Sequence, residues 1–118
     1  MVVLDNSNIK ATLHGNILVA RVQCPNITHL EHTAIQSDLI DLGKKYGFRM
    51  ILDLDEVLII GSSGLSVFIS LNKEAAASKG FLALSNMKQD LVEVLRMTHL
   101  LKLFKLFKTT DDALSALK

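Results

Sequence analysis

The sequence predicts an α/β domain with a mixed, mostly parallel sheet of four to five strands, an N-terminal hairpin and about four helices. Three observations predict it. Short apolar or alternating segments recur between longer segments of helical period, which implies crossover connections. The first two strand-like segments are joined only by Gly15-Asn16, a hairpin signal. Proline occurs once, at Pro25, and no stretch is rich in Gly and Ser, so residues 1–118 read as a single domain.

The elements follow in order. Ile9, Ala11 and Leu13 alternate with polar neighbours, and Ile17 to Val22 is rich in β-branched and apolar residues. These are the two hairpin strands, the second ended by Pro25-Asn26. Thr28 and Glu31 have capping-box spacing and predict a helix start. Ile35, Leu39, Leu42 and Tyr46 then share one face, Lys44 and Lys45 suit the last turn, and Gly47 supplies a left-handed stop. Met50 to Leu54 reads as a buried strand, followed by a bend at Asp55-Glu56 and the apolar run Val57 to Ile60. A second helix is expected from the Gly61-Ser62-Ser63-Gly64 turn, with Leu65, Phe68, Ile69, Asn72 and Ala76 on one face, stopping at Lys79-Gly80. Phe81 to Leu84 predicts a short strand. Asn86 and Gln89 are placed to cap a third helix carrying Leu91, Val94 and Leu95 inward. Leu103 to Phe107 predicts an edge strand. Thr109 and Asp112 predict the start of a last helix, 111–117.

Composition narrows the function. The apolar fraction is 49% and the charged fraction 21%, which is globular and not disordered. A formal net charge of +1 gives no reason to expect a nucleic-acid partner. The one cysteine, Cys24, cannot form an internal disulfide. No apolar run approaches the roughly 18 residues of a membrane span, and the first residues lack the pattern of a secretion signal, so a cytoplasmic location without stable membrane insertion is expected.

The Gly-Ser-Ser-Gly turn stands out. It follows a buried strand and opens a helix, the position where α/β sheets most often carry a site. Glycine permits unusual dihedrals and close approach. A serine in the first helical turn either caps free N–H groups with its hydroxyl or carries a phosphate that the helix end tolerates.

The stretch Ile51-Leu52-Asp53-Leu54 through Ile60-Gly61-Ser62-Ser63-Gly64-Leu65 resembles the core of the STAS family, and within it the bacterial anti-sigma factor antagonists. Their pattern is a buried strand, Asp-Ser-Ser-Gly-Leu, then a helix. The likeness continues through Lys79-Gly80, through Leu95 to Leu100 ending in Leu103-Phe104, and through Thr110-Asp111-Asp112-Ala113-Leu114. It covers nearly the whole chain and is tightest from Arg49 onward.

The resemblance implies a STAS fold and a partner-switching role. The second serine of the pair, here Ser63, is the implied phosphorylation site, with Ser62 as a minor acceptor. The implied partners are an anti-sigma factor with serine kinase activity, which the unmodified domain binds, and a cognate phosphatase that resets it. The implied contact surface is Asn26 and its loop, Gly61, Ser62, Ser63, Gly64, Leu65, and the exposed Ser66 and Ser70. The domain would be no enzyme, would need no cofactor, and would be a monomer or weak dimer. Two positions depart from the pattern: Gly61 replaces the usual Asp, and His99 stands where relatives often have Gly in a left-handed conformation, which His tolerates better than most residues.

Other readings carry less. A constitutive STAS subunit of a stressosome-like scaffold or of a lipid-transport ATPase complex fits the absence of that Asp. A nucleotide or lipid ligand lacks a phosphate-binding fingerprint. His29 and His32 are three apart, but two ligands without a third make no zinc site. Gly61-x-x-Gly64 is not in the helix–helix context of a nucleic-acid-gripping loop, and Gly-x-Ser-x-Gly is absent. Cys24 reads as a buried or strand-edge thiol. Lys102, Lys105 and Lys108 read as solvated guards of a sheet edge ahead of a membrane-surface segment.

Overall fold

The computed structural model describes residues 1–27 and 32–117, and the backbone alone of His32. The hairpin pairs β2 (Ile9–His14) with β3 (Ile17–Val22) in antiparallel register from Ile9↔Val22 to His14↔Ile17. Gly15 takes the positive φ of 64° that this tight turn needs. A further strand, β1 (Val2–Asp5), adds to the outer side of β2 through an irregular register between Val2 and Leu4. The short run Val2-Val3-Leu4 has no alternation of its own, so its pairing is decided by the partner strand.

Three parallel strands extend the other side: β5 (Arg49–Asp53), β7 (Phe81–Ser85) and β8 (Lys105–Phe107). The sheet has six strands in the order β1-β2-β3-β5-β7-β8, against the four to five expected. The extra strand is β1. The expected edge strand from Leu103 is shortened, because Leu101–Leu103 forms a 3-10 turn first. Two further short strands, β4 (Asn26–Ile27) and β6 (Ile59–Ile60), make a separate parallel ladder, Asn26↔Ile59 and Ile27↔Ile60. Asn26 is thus part of a ladder and not only a terminator.

Strand alternation sends side chains to two faces. One face, with Ala11, Leu18, Ala20, Met50, Leu52, Leu82 and Leu84, packs on α1 (His32–Tyr46), α2 (Ser62–Ala77) and α3 (Gln89–Met97). The other, with Ile17, Val19, Ile51 and Ala83, is covered by Ala113, Leu114 and Leu117 of α4 (Thr110–Leu117). In α1, Ile35, Leu39 and Leu42 are buried as the period predicts, and Gly47 ends the helix at φ 94°. The capping pair Thr28 and Glu31 lies outside the described residues. Asp112 N–H donates to Thr109 Oγ1 at 3.0 Å, the expected cap of α4.

Two expectations are corrected. The buried face of α2 is Gly64, Val67, Phe68, Leu71 and Ala75; Leu65, Ile69 and Asn72 lie half-buried at its margin, and Ala76 is exposed. The glycine, and not Leu65, sets the phase, because backbone contact at Gly64 turns the helix by one residue. Asn86 does not cap α3, whose N-cap is Lys88 without a side-chain bond. At φ 57°, Asn86 sends its amide instead to Asp53 Oδ1 (3.0 Å) and Thr110 Oγ1 (3.3 Å).

Candidate functional site

The turn 61–64 is positioned from three sides. Asp53 Oδ1, at the end of β5, accepts the Asp55 N–H at 3.1 Å and starts the bend. Leu54 O accepts the Val57 N–H at 3.0 Å and closes it. Arg21, at the end of β3, reaches Glu56 at 2.9 Å and Asp55 at 3.6 Å. All three side chains are substantially exposed, so these pairs orient the bend more than they stabilise it.

The chain then runs beside β4. Pro25 O accepts the N–H groups of both Leu58 (2.7 Å) and Ile59 (3.1 Å), and Ile27 O accepts that of Gly61 (3.1 Å). This tether buries Val57 and Ile60 and turns the two residues between them outward. Leu58 is 55% exposed and Ile59 57%. Two consecutive large apolar side chains are thus left exposed shortly before the helix start. Sequence reasoning did not single out either as exposed. The available signal was the four-residue apolar run itself, too apolar for a segment that is not central in the sheet.

The start of α2 follows. Gly61 is its N-cap, with φ −85° and ψ −178°, and Leu65 N–H makes the first intrahelical bond to Gly61 O at 3.1 Å. The N–H groups of Ser62, Ser63 and Gly64 therefore have no intrahelical acceptor. Neither serine caps. Among the described residues, the Ser62 and Ser63 hydroxyls have no hydrogen-bond partner; Ser62 is exposed and Ser63 half-buried. Ser66 Oγ donates to Ser62 O at 3.1 Å and is exposed, and Ser70 lies half-buried one turn on.

Gly64 is the pivot. A Cβ there would lie 2.8 Å from Ile60 Cγ2, 2.9 Å from Ile27 Cγ2 and 2.9 Å from Ile27 O. Only glycine lets the helix settle on β4 at this distance. Gly61 differs: its backbone is ordinary extended chain, and the nearest atom to an added Cβ is Ile27 O at 3.8 Å. The structure thus brings Asn26, Gly61, Ser62, Ser63 and Gly64 together at one end of the sheet. Leu65, Ser66 and Ser70 extend this surface along α2. Cys24 is half-buried in the preceding loop, its thiol donating to Asn26 O at 2.9 Å. His29 and the His32 side chain lie outside the described residues.

A strand, a bend, a Gly-Ser-Ser-Gly turn and a helix laid on a mixed sheet match one family model, the STAS domain, over residues 8–113. The chain belongs to the STAS domain family. An anti-sigma factor antagonist from Mycobacterium paratuberculosis superposes with a TM-score of 0.82 at 22% identity, over 93% of this chain and 92% of that one. The phosphorylated form of SpoIIAA, a Bacillus cell fate determinant, gives 0.73 at 15% identity, over 93% and 99%. A sulfate transporter family protein from Wolinella succinogenes gives 0.73 at 15%, over 90% and 88%. At these identities the superpositions establish a shared fold, and a STAS fold serves more than one kind of protein. No helix among the described residues is long and apolar enough to cross a membrane.

Proposed function

We propose that this STAS domain is an anti-sigma factor antagonist whose binding is switched by phosphorylation of Ser63. One observation carries the reading. A serine hydroxyl without a hydrogen-bond partner among the described residues stands in the first turn of α2, where the N–H groups have no intrahelical acceptor, four residues after the exposed pair Leu58 and Ile59.

The two halves of that surface respond differently to a phosphate. It adds roughly −1.5 to −2 charges and three acceptor oxygens. First-turn N–H groups without an intrahelical acceptor and the positive end of the helix dipole accommodate that charge locally, so the fold survives modification. A partner packed on Leu58 and Ile59 would instead have to desolvate the dianion. Binding is therefore lost while the domain stays folded, which is what a reversible switch requires. The partner of the unmodified form is an anti-sigma factor that also acts as the serine kinase, and a phosphatase restores the form that binds. The domain is then a substrate with no catalysis of its own, acting in the cytoplasm on transcription through the sigma factor it frees. The structural likeness to SpoIIAA, solved in its phosphorylated form, supports the reading.

Incubation with the cognate anti-sigma kinase and ATP, followed by intact mass and peptide mapping, tests the modification. One phosphate on Ser63, abolished by Ser63→Ala, is expected. Phosphate confined to Ser85, which is fully buried in the sheet, or no phosphate at all, would count against it.

A further inference from the structure

A second cleft of interest lies at the other end of the sheet. α2 begins beyond the carboxyl ends of the parallel strands, whereas α3 leaves β7 there and returns, so its last turn sits at the opposite end. There a cleft of about 320 Å³ is lined by Arg96, His99, Leu101 and Lys102. Four other clefts on the described surface either include a carboxylate or carry a single lysine. Among the described residues, this one is lined by three nitrogen-bearing side chains and no carboxylate.

The backbone presents His99 in an uncommon way. α3 ends in a Schellman motif: Leu100 N–H bonds to Leu95 O at 2.9 Å and His99 N–H to Arg96 O at 3.1 Å. His99 holds the left-handed position, at φ 62°, where glycine is the unstrained choice. Lys79 does the same at the end of α2, so the conformation alone marks nothing. His99 differs in that its side chain lines a cleft with two cations. Arg96 is shared with Glu93, 2.7 Å away, while Lys102 and His99 have no partner among the described residues. Leu101 is half-buried against the core and gives the cleft an apolar wall.

We infer that this cleft binds a compact ligand with one phosphate-monoester group and a short apolar part. Lys102 and Arg96 pair with the phosphoryl oxygens, His99 donates a ring N–H, and Leu101 takes the apolar part. The volume is at the small end for ligand pockets and suits a compact ligand better than a dinucleotide. Such chemistry is presented by soluble phosphate esters and by phospholipid headgroups.

Titration of the whole chain, followed by backbone amide resonances, tests this with hexyl phosphate, inorganic phosphate and hexanol as probes. Hexyl phosphate is expected to shift residues 96–102 and to bind at least about tenfold more tightly than either fragment. Lys102→Gln should weaken it about tenfold. His99→Gly should do the same while raising Tm by about 4 °C, because it removes the left-handed strain. His99→Asn, which tolerates that backbone, separates loss of the ring from any change of fold and should also weaken binding. Sedimentation with phosphatidic acid vesicles identifies the source: vesicle binding lost in Lys102→Gln assigns it to lipid, and hexyl phosphate binding without vesicle binding assigns it to a soluble ester. Shifts spread over lysines throughout the molecule, undiminished binding by His99→Gly, or binding to neither probe would overturn the site.

Discussion

Gly64→Val is expected to destabilise the domain by about 3 kcal/mol and to lower Tm by about 10 °C. The cause is local and steric. The first side-chain carbon meets two methyl groups and a backbone carbonyl oxygen, all under 3 Å away. The methyl groups belong to Ile27 and Ile60, both buried, and the carbonyl is the one that holds the Gly61 N–H. Relief requires lifting the start of α2 off β4, which also loosens Val67 and Phe68 in the core. Gly61→Asp is the internal comparison. The backbone there suits any residue, the space is open, and a carboxylate at the N-cap accepts from free first-turn N–H groups. It should leave stability unchanged or raise it by about 0.5 kcal/mol. Thermal denaturation followed by circular dichroism reads both. Equal stability of Gly64→Val and the native chain would mean that α2 does not rest on β4 as described.

The second large effect concerns binding. The double variant Leu58→Asp/Ile59→Asp is expected to weaken the anti-sigma complex about a hundredfold or more. Its stability should change by no more than about 1 kcal/mol, since both side chains already face water. Two charges set into a packed apolar contact must be desolvated without a partner, and that cost appears in the dissociation rate. Calorimetric titration with the anti-sigma factor, beside a melting curve of each variant, separates interface from fold. Full affinity in the double variant would place the contact surface elsewhere.

The order of elements was legible because strong periodicity does not depend on tertiary context. Ile35, Leu39 and Leu42 lie on one helical face in the sequence and are buried in the fold. Thr109 could be recognised as a cap because the motif is entirely local. What escaped depends on contacts between distant residues. β1 is a strand because β2 offers it an edge. The phase of α2 is set by Ile27, far away in the chain, pressing on Gly64. Asn86 has the composition of a cap, yet its amide serves Asp53 and Thr110, a cluster that exists only once three strands lie side by side.

The site divides in the same way. The Gly-Ser-Ser-Gly turn was visible as a strand-to-helix junction, and its juxtaposition with Asn26 follows from the β4–β6 ladder. Leu58 and Ile59 were hidden inside an apolar run. Only the double tether to Pro25 O shows that they point outward. The turn also does different work from a simple serine cap. Gly61 is the cap, and among the described residues neither serine hydroxyl has a hydrogen-bond partner.

The most direct test of the switch compares the affinity of one anti-sigma factor for the domain with Ser63 unmodified and with Ser63 phosphorylated. The phosphorylated form should bind at least about a hundredfold more weakly while melting within a few degrees of the unmodified domain. Equal affinity of the two forms would contradict the proposed switch, whatever the identity of the kinase.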